Sequence, residues 1–354
     1  MGDYNTFLDE VAEELSRLAF SPAVAPPPTK ISVIIPAYNT ENYIAQCLLS
    51  LVKQTFREIE ILVVDDGSTD NTRSIVKTFM QHDKRIKLIT QENQGAGIAK
   101  NNALNQATGE FVAFVDSDDF LEKDALETAF NTCIKNNADL VVFGANGILE
   151  NKKCKCLYGI EKIPQKFKNQ ICQPAEIQKN LFNIPVIAMC KLYNREFLIK
   201  NNIYFQDTKT GEDQIFFIKS MLLAKSAYIL SKNIYNYRRK RKGSLTFTKK
   251  KKDNSVIYNF YAIEDFIHNC DIPNCTKDKI LNKYFSKCVS WLGKCEAGYR
   301  EKYFEDLTKL CNFVAKNYPQ IFNNEFNLKS NDSYFILKTK LFYLKIRRRF
   351  NGRK

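Results

Sequence analysis

Short apolar runs alternate with amphipathic stretches over the first 145 residues of the chain. Ile31–Ile35, Ile61–Val64, Phe111–Val115 and Leu140–Phe143 have the length of buried strands. Strand Ile31–Ile35 is followed by a helix around Glu41–Gln54, and strand Glu60–Val64 by a helix over Asp70–His82. A third strand, Ile86–Thr90, leads to a helix near Gly97–Ala107 and then to strand Phe111–Val115. This alternation predicts an α/β fold with a mainly parallel sheet, covered by helices on both faces. In such sheets ligands bind beyond the carboxyl ends of the strands, near a topological switch point.

The polar residues follow that rule. The first strand ends in Pro36-Ala37-Tyr38-Asn39, the second in Asp65-Asp66-Gly67-Ser68, and the fourth in Asp116-Ser117-Asp118-Asp119. All three clusters fall on one edge of the predicted sheet. Random surface carboxylates would not be sorted this way.

After Leu149 the alternation stops. A less regular stretch passes through Cys190-Lys191-Leu192-Tyr193 to Gly211-Glu212-Asp213-Gln214, which opens a helix over Ile215–Leu223. Beyond Tyr237 the chain is basic, then mostly helical from about Asn254 to Phe313. At the other end, Phe7, Val11, Leu15 and Leu18 recur at helical spacing, so Asp9–Phe20 reads as a short amphipathic helix. Ser21–Thr29 then reads as a Pro-rich linker, and the segment fits either a docking helix or an appended extension. The expected organisation is residues 1–30 as helix and linker, 31–237 as a catalytic domain and 238–354 as a basic, mostly helical region. Within the catalytic domain, 31–120 would bind nucleotide and 121–237 the acceptor.

Composition narrows the chemistry. The chain has 354 residues, 44% hydrophobic and 26% charged, which is ordinary for a globular protein. No apolar run reaches the roughly 18 residues needed to span a bilayer. The first 20 residues lack the basic-then-apolar order of a signal peptide, so a cytoplasmic location is expected. Eleven scattered cysteines then read as free thiols, and Cys154-Lys155-Cys156 is too tight for zinc. With only His82 and His268 present, a His-rich metal site has little to work with. Any metal would be held by oxygen.

The net charge of +14 is concentrated. Arg238–Lys242 and Lys249–Lys252 supply nine positive charges, and the tail adds more from Lys338 to Lys354. Such runs suit anionic lipid or phosphate, or simply form a solvated basic face. The tail Phe335–Phe350 mixes apolar and basic residues, as an amphipathic helix on anionic lipid would. It fits ordinary helix packing as well.

Asp116 and Asp118 lie one residue apart on an extended segment and can point to one side. Two such carboxylates suit Mg²⁺ or Mn²⁺, which commonly bridge protein oxygens to substrate phosphates. The competing reading is an acidic turn, with Asp118 or Asp119 capping the next helix. Asp65–Asp70 likewise makes a turn and a helix cap, while Asp66 sits where a base or ribose would be read.

Taken in order, Ile35–Asn39, Gln54-Thr55-Phe56, Val64–Asp70 and Asp116–Asp119 resemble glycosyltransferase family 2, whose fold is GT-A. The resemblance covers about residues 31–235 and extends more weakly to Gly211-Glu212-Asp213. Cys190–Tyr193 and Tyr237–Ser244 resemble segments of bacterial transferases that build lipopolysaccharide, lipooligosaccharide or capsule glycans. The resemblance implies that Pro36, Tyr38 and Asp66 contact the nucleotide, with Glu41 nearby and Ser117 also on the donor. Asp118 with Asp116 would hold the metal on the donor diphosphate. Asp213 would deprotonate the acceptor hydroxyl, and Glu212 would shape that pocket. Lys100 stands where the family often has arginine, and it would offer charge to the diphosphate without a bidentate fork. Lys191, Arg238 and Arg241 would be further contacts to diphosphate or acceptor.

The implied activity is inverting, metal-dependent transfer from a nucleotide-sugar donor to a hydroxyl of a bacterial surface glycan. UDP-linked hexose or N-acetylhexosamine is the favoured donor. The acceptor would be a glycan or lipid-linked glycan, met by a protein peripheral on the cytoplasmic face of the inner membrane. No nucleic acid partner is expected. A nucleotidyltransferase would want a Gly-rich basic loop after the first strand, and a dinucleotide oxidoreductase a G-x-G-x-x-G turn there. Pro36–Tyr43 holds no glycine. A non-catalytic basic membrane- or nucleic-acid-binding protein would explain the charge but not the three acidic strand ends.

Overall fold

The computed structural model describes residues 28–149, 152–154, 159–239, 253–296 and 298–326, together with Glu13. The expected helix Asp9–Phe20, Arg241, the run Lys249–Lys252 and the tail Phe335–Phe350 lie outside the described residues. The described chain divides into two compact units. One runs through Thr208 and resumes at Glu212, and the other takes Lys209–Gly211 and the residues from Asp253 onward.

The first unit is built on a ten-stranded sheet. Its parallel half contains β1 (Ile31–Ala37), β2 (Ile59–Asp66), β3 (Ile86–Gln91) and β4 (Phe111–Phe114), in the order β3-β2-β1-β4. Every residue of β1, β2 and β4 is buried, as expected of strands covered on both faces. The covering helices are α1 (Ile44–Val52), α2 (Thr72–His82) and α3 (Ala96–Gln106). In α1 the apolar Ile44, Cys47, Leu48, Leu51 and Val52 form one buried stripe.

Beyond β4 the sheet departs from the parallel expectation. After helix α4 (Ala125–Asn136) come β6 (Leu140–Leu149) and, later, β9 (Lys191–Asn194), which lies antiparallel between β4 and β6. Strand β10 (Ala227–Arg238) runs parallel to β6 and antiparallel to the short β5 (Phe120–Leu121), while the short β7 (Lys152–Cys154) and β8 (Ile171–Cys172) pair antiparallel with β6 and β10 respectively. The sheet is therefore mixed. The pairs of β1 with β2 and β4 place Tyr38, Asp66 and Asp116 beyond neighbouring strand ends, since Ala37 faces Asp65 and Ile34 faces Phe114.

Strand β10 has no counterpart in the apolar pattern. Its centre, Ser231-Lys232-Asn233, is exposed, and its register with β6 shifts on either side of Asn233. Three polar residues inside a strand erase the two-residue period that would reveal it. Between β9 and β10 lie α6 (Arg195–Lys200) and α7 (Asp213–Leu223), after an earlier short α5 (Pro174–Asn180).

The second unit is helical: α8 (Ser255–His268), α9 (Asn274–Trp291), α10 (Arg300–Asn317) and α11 (Pro319–Phe326). Pro273 stands at the N-cap of α9 and separates it from α8 within the stretch expected to be mostly helical. Phe260, Phe285, Leu310 and Cys311 fill its core. Among the described residues no helix is long and apolar enough to cross a membrane, and the ten described cysteines are free.

Candidate active site

The loops after β1 and β2 are stitched together by side chains. Asn39 adopts a left-handed conformation (φ 50°), and its Oδ1 accepts the Thr69 N–H at 2.9 Å while its own N–H donates to Ser68 Oγ at 3.1 Å. Glu41 Oε2 accepts both the backbone N–H of Asn71 (3.0 Å) and its side-chain amide (2.9 Å) at the start of α2. Glu41, expected beside a nucleotide, is thus engaged in holding a helix start. Between these fastened loops Tyr38 stands 48% exposed, while Pro36 is buried within β1.

Asp66 lies at the end of β2 and is 3% exposed. Its Oδ1 accepts from Gln91 Nε2 and from the Gln94 N–H, both at 2.8 Å, and its Oδ2 accepts the Gly95 N–H at 2.8 Å. The carboxylate therefore fixes the turn that starts α3, a job the residue order did not disclose. Each oxygen can accept more than the bonds it makes here.

The turn Asp116–Asp119 brings three carboxylates together, with ligand atoms all within 4.8 Å of one another. Burial, and then repulsion from Asp118, Asp213 and Glu212, lifts Asp116 to about 7 despite the counteracting charge of Lys100. Burial and the charges of Asp118 and Asp116 likewise push Asp119 well above the usual carboxylate range. Hard oxygen donors packed this closely fit Mg²⁺ or Mn²⁺. Ser117 is buried between them.

Asp119 does not cap a helix. Its Oδ2 accepts the Tyr235 hydroxyl at 2.7 Å, and its Oδ1 accepts the Arg238 N–H at 2.7 Å, both from β10. Arg238, expected at a diphosphate or acceptor, instead donates from Nε to the Asp118 carbonyl at 2.9 Å and from its guanidinium to Gln46. The guanidinium also lies 5.1 Å from the Tyr43 ring centre.

The second acidic pair sits at the start of α7. Glu212 Oε1 and Asp213 Oδ1 each accept from Lys100 Nζ at 3.3 Å. Lys100 is 2% exposed and lies 4.8 Å from the centre of the Phe205 ring. Its burial disfavours the ammonium, but the charges of Asp213 and Glu212 outweigh that and hold its pKa well above the ordinary lysine value. Where a phosphate had been expected at this ammonium, the structure has two carboxylates. Asp213 itself is raised, by burial first, with Lys100 and Lys191 pulling the other way and Glu212 adding to the rise.

Lys191 corrects another expectation. It is 0% exposed, and its Nζ donates to the carbonyls of Pro185 (2.6 Å) and Ile187 (2.8 Å). Burial lowers its pKa to about 8. A lysine caged by backbone oxygens organises the 185–191 segment instead of reaching for a substrate. Arg241 lies outside the described residues.

The comparisons with known proteins agree with this architecture. The family model described as "Glycosyl transferase family 2" matches residues 32–199. "Glycosyltransferase GlyA" of Streptococcus pneumoniae is 36% identical over 224 residues, 61% of this chain and 31% of that protein. The poly(ribitol-phosphate) beta-N-acetylglucosaminyltransferase TarS of Staphylococcus aureus is 33% identical over 268 residues, 74% of this chain and 44% of that protein. The chain thus spans less than half the length of these two relatives. It covers 73% of a third, "Glycosyltransferase GlyG" of Streptococcus pneumoniae, at 33% identity. The crystal structure of S. aureus TarS 1-349 in complex with UDP-GlcNAc superposes with a TM-score of 0.65 and 28% identity, covering 83% of each chain. The sheet and its helices have the same GT-A arrangement. On these matches the chain belongs to glycosyl transferase family 2.

Proposed function

We propose that the protein transfers a hexosyl or N-acetylhexosaminyl group from a nucleoside-diphosphate donor, UDP-linked by preference, to a hydroxyl of a bacterial surface glycan, inverting the anomeric centre. The observation that carries this reading is the pair of acidic centres around Lys100. Asp116–Asp119 lies at the carboxyl end of β4, Glu212 and Asp213 start α7, and Lys100 feels the charge of both. The bound UDP-GlcNAc of the TarS structure supports a uridine nucleotide donor. Family membership favours this reading over a nucleotidyltransferase or a non-catalytic basic binder.

Tyr38, exposed at the end of β1, would lie against the base. Asp66 would act on the nucleotide chiefly through the Gln94–Gly95 turn that it fixes. Asp116 and Asp118 would hold Mn²⁺ or Mg²⁺, which neutralises negative charge gathering on the diphosphate as it leaves. Asp213 would take the proton of the acceptor hydroxyl while that oxygen bonds to the anomeric carbon and the bond from carbon to phosphate oxygen breaks. Its raised pKa suits a group that must hold a proton briefly near neutral pH. Glu212 shares the Lys100 ammonium and shapes the acceptor side. A single base without a carboxylate nucleophile gives one displacement, hence inversion. We assign this chemistry to residues 31–237, with the donor held by 31–120 and the acceptor by 121–237. Residues 238–354 would face an anionic membrane on the cytoplasmic side, a placement that rests on the basic charge of the sequence.

The test is a panel of UDP- and GDP-sugars with Mn²⁺, read by thermal stabilisation and by donor hydrolysis or transfer. Stabilisation by a UDP-sugar, and turnover that disappears with chelator and in Asp118→Ala, is the expected result. No response of the wild-type protein to any nucleotide sugar, UDP or GDP would overturn it.

A further inference from the structure

The turn Asp116–Asp119 is fastened largely from one strand end, with Cys47 Sγ adding a contact to the Asp116 carbonyl at 3.7 Å. Tyr235 and Arg238 are three residues apart on β10, and between them they make four hydrogen bonds to this turn. The Tyr235 hydroxyl donates to Asp119 Oδ2 at 2.7 Å and accepts the Asp116 N–H at 3.2 Å. The Arg238 N–H donates to Asp119 Oδ1 at 2.7 Å, and its Nε donates to the Asp118 carbonyl at 2.9 Å. Within the turn the Asp119 N–H donates to the Asp116 carbonyl at 3.0 Å.

The three aspartates are consequently unequal. Asp119 is buried, with both oxygens bonded to β10, whereas Asp116 and Asp118 are partly exposed. Tyr235 is itself fully buried, so its hydroxyl has one fixed place. We infer that Tyr235 and Asp119 are positioning residues: the buried phenol–carboxylate bond sets the backbone of the turn so that Asp116 and Asp118 present their oxygens to one cation. This rests on the reading of Asp116 and Asp118 as metal ligands.

The physical case is that a divalent ion tolerates little error in its donors. Octahedral Mg²⁺ takes oxygens at about 2.0–2.1 Å, so a shift of a few tenths of an ångström in the turn weakens binding. Groups that orient metal ligands typically contribute 10–100-fold to metal affinity when lost. Tyr235→Phe removes one hydroxyl and with it two of the four bonds from β10. A donor is lost to buried Asp119 and an acceptor to the Asp116 N–H, with little change in volume.

The experiment measures Mn²⁺ binding directly, by electron paramagnetic resonance titration with and without UDP. The proteins are wild type, Tyr235→Phe, Asp119→Asn and the double variant, with Tyr193→Phe as a second buried tyrosine that loses its hydroxyl. The inference expects Tyr235→Phe and Asp119→Asn each to weaken Mn²⁺ at least tenfold. The double variant should be little weaker than either, because both break one device. Tyr193→Phe should bind as wild type. If Tyr235→Phe binds Mn²⁺ like wild type while Asp119→Asn does not, Asp119 is a ligand and the inference falls. If both bind like wild type it also falls, with the metal reading intact. If wild type itself binds no Mn²⁺ with or without UDP, the metal reading falls and takes this inference with it. Should Tyr235→Phe fail to fold, the number of water molecules on bound Mn²⁺, read by pulsed electron paramagnetic resonance in wild type and Asp119→Asn, keeps the test. An unchanged number is expected, and one more water in Asp119→Asn would make Asp119 a ligand and overturn the inference.

Discussion

Lys100 Nζ lies 3.3 Å from Asp213 Oδ1 and the same distance from Glu212 Oε1, so one buried ammonium serves both acids at the start of α7. Asp213 also faces Lys191 from β9 and Asp116 from the turn after β4. Of these four neighbours, the two lysines favour the ionised carboxylate and the two acids oppose it. Lys100→Met removes the nearest cation, so the pKa of Asp213 rises further. The acid limb of the kcat/KM profile is expected to move to higher pH, with activity falling most below neutrality. Stability should drop by about 3 kcal/mol, the usual scale for stranding a partly buried charge. Lys100→Arg should recover part of both. A pH–rate profile and a urea melt of each variant check this.

Asp213→Asn keeps the shape of the site and removes the proton acceptor. Turnover is expected to fall roughly 10²–10⁴-fold, the range for loss of a general base. Binding of UDP and Mn²⁺, read by thermal shift, should be nearly unchanged, because Asp213 lies outside the carboxylate cluster of Asp116–Asp119. Loss of UDP binding in this variant would contradict the assignment of Asp213 to the acceptor side.

Glu60 sets an acid limit on the first unit. It is buried on β2, where Oε1 accepts from Ser32 Oγ (2.6 Å), the Thr108 N–H (2.7 Å) and Thr108 Oγ1 (2.8 Å), and Oε2 pairs with Lys87 at 2.7 Å. Burial works against the charge, but these bonds prevail and bring its pKa from 4.5 to about 2. The folded value lies below the unfolded one, so the stabilisation is present above pH 4.5 and is lost as pH falls toward 2. It amounts to about 2 kcal/mol after allowance for solvent around the exposed Lys87. Glu60→Gln should lower neutral-pH stability by that order and flatten its dependence between those limits, as read by chemical unfolding at stepped pH.

Gly97, in the first turn of α3, is packed against the chain leading to the candidate base. A Cβ there would stand 2.8 Å from the Gln206 carbonyl and 3.2 Å from Glu212 Cβ. Gly97→Ala must push that segment away, at a cost of about 1–3 kcal/mol. Since Glu212 and Asp213 would move with it, kcat should fall together with the unfolding midpoint. An alanine variant with wild-type kcat would show that the base is insensitive to this contact.

The parallel half of the sheet was readable from the chain because its signals are local. β1, β2 and β4 carry short apolar runs, broken only near their starts by Ser32 in β1 and Glu60 in β2, and Gly, Asn and Asp mark the turns beyond them. The sorting of Tyr38, Asp66 and Asp116 to one edge followed from chain direction alone. Strand β10 was not readable, because Ser231-Lys232-Asn233 interrupts its period.

The division between sequence and structure runs through the charged residues. The sequence by itself determined the fold class, the edge that carries the site and the family, because strand order and motif spacing are properties of the chain. It could state that Lys100, Lys191, Arg238 and Glu41 carry charge near that edge, but not what each charge meets. Only the tertiary structure decided that Lys100 pairs with Asp213, that Lys191 is caged by the carbonyls of Pro185 and Ile187, and that Arg238 holds the Asp118 carbonyl. The reason is physical. A buried charge is stabilised by whichever opposite charge or dipole lies within a few ångströms, and here those partners come from 4 to 120 residues away along the chain.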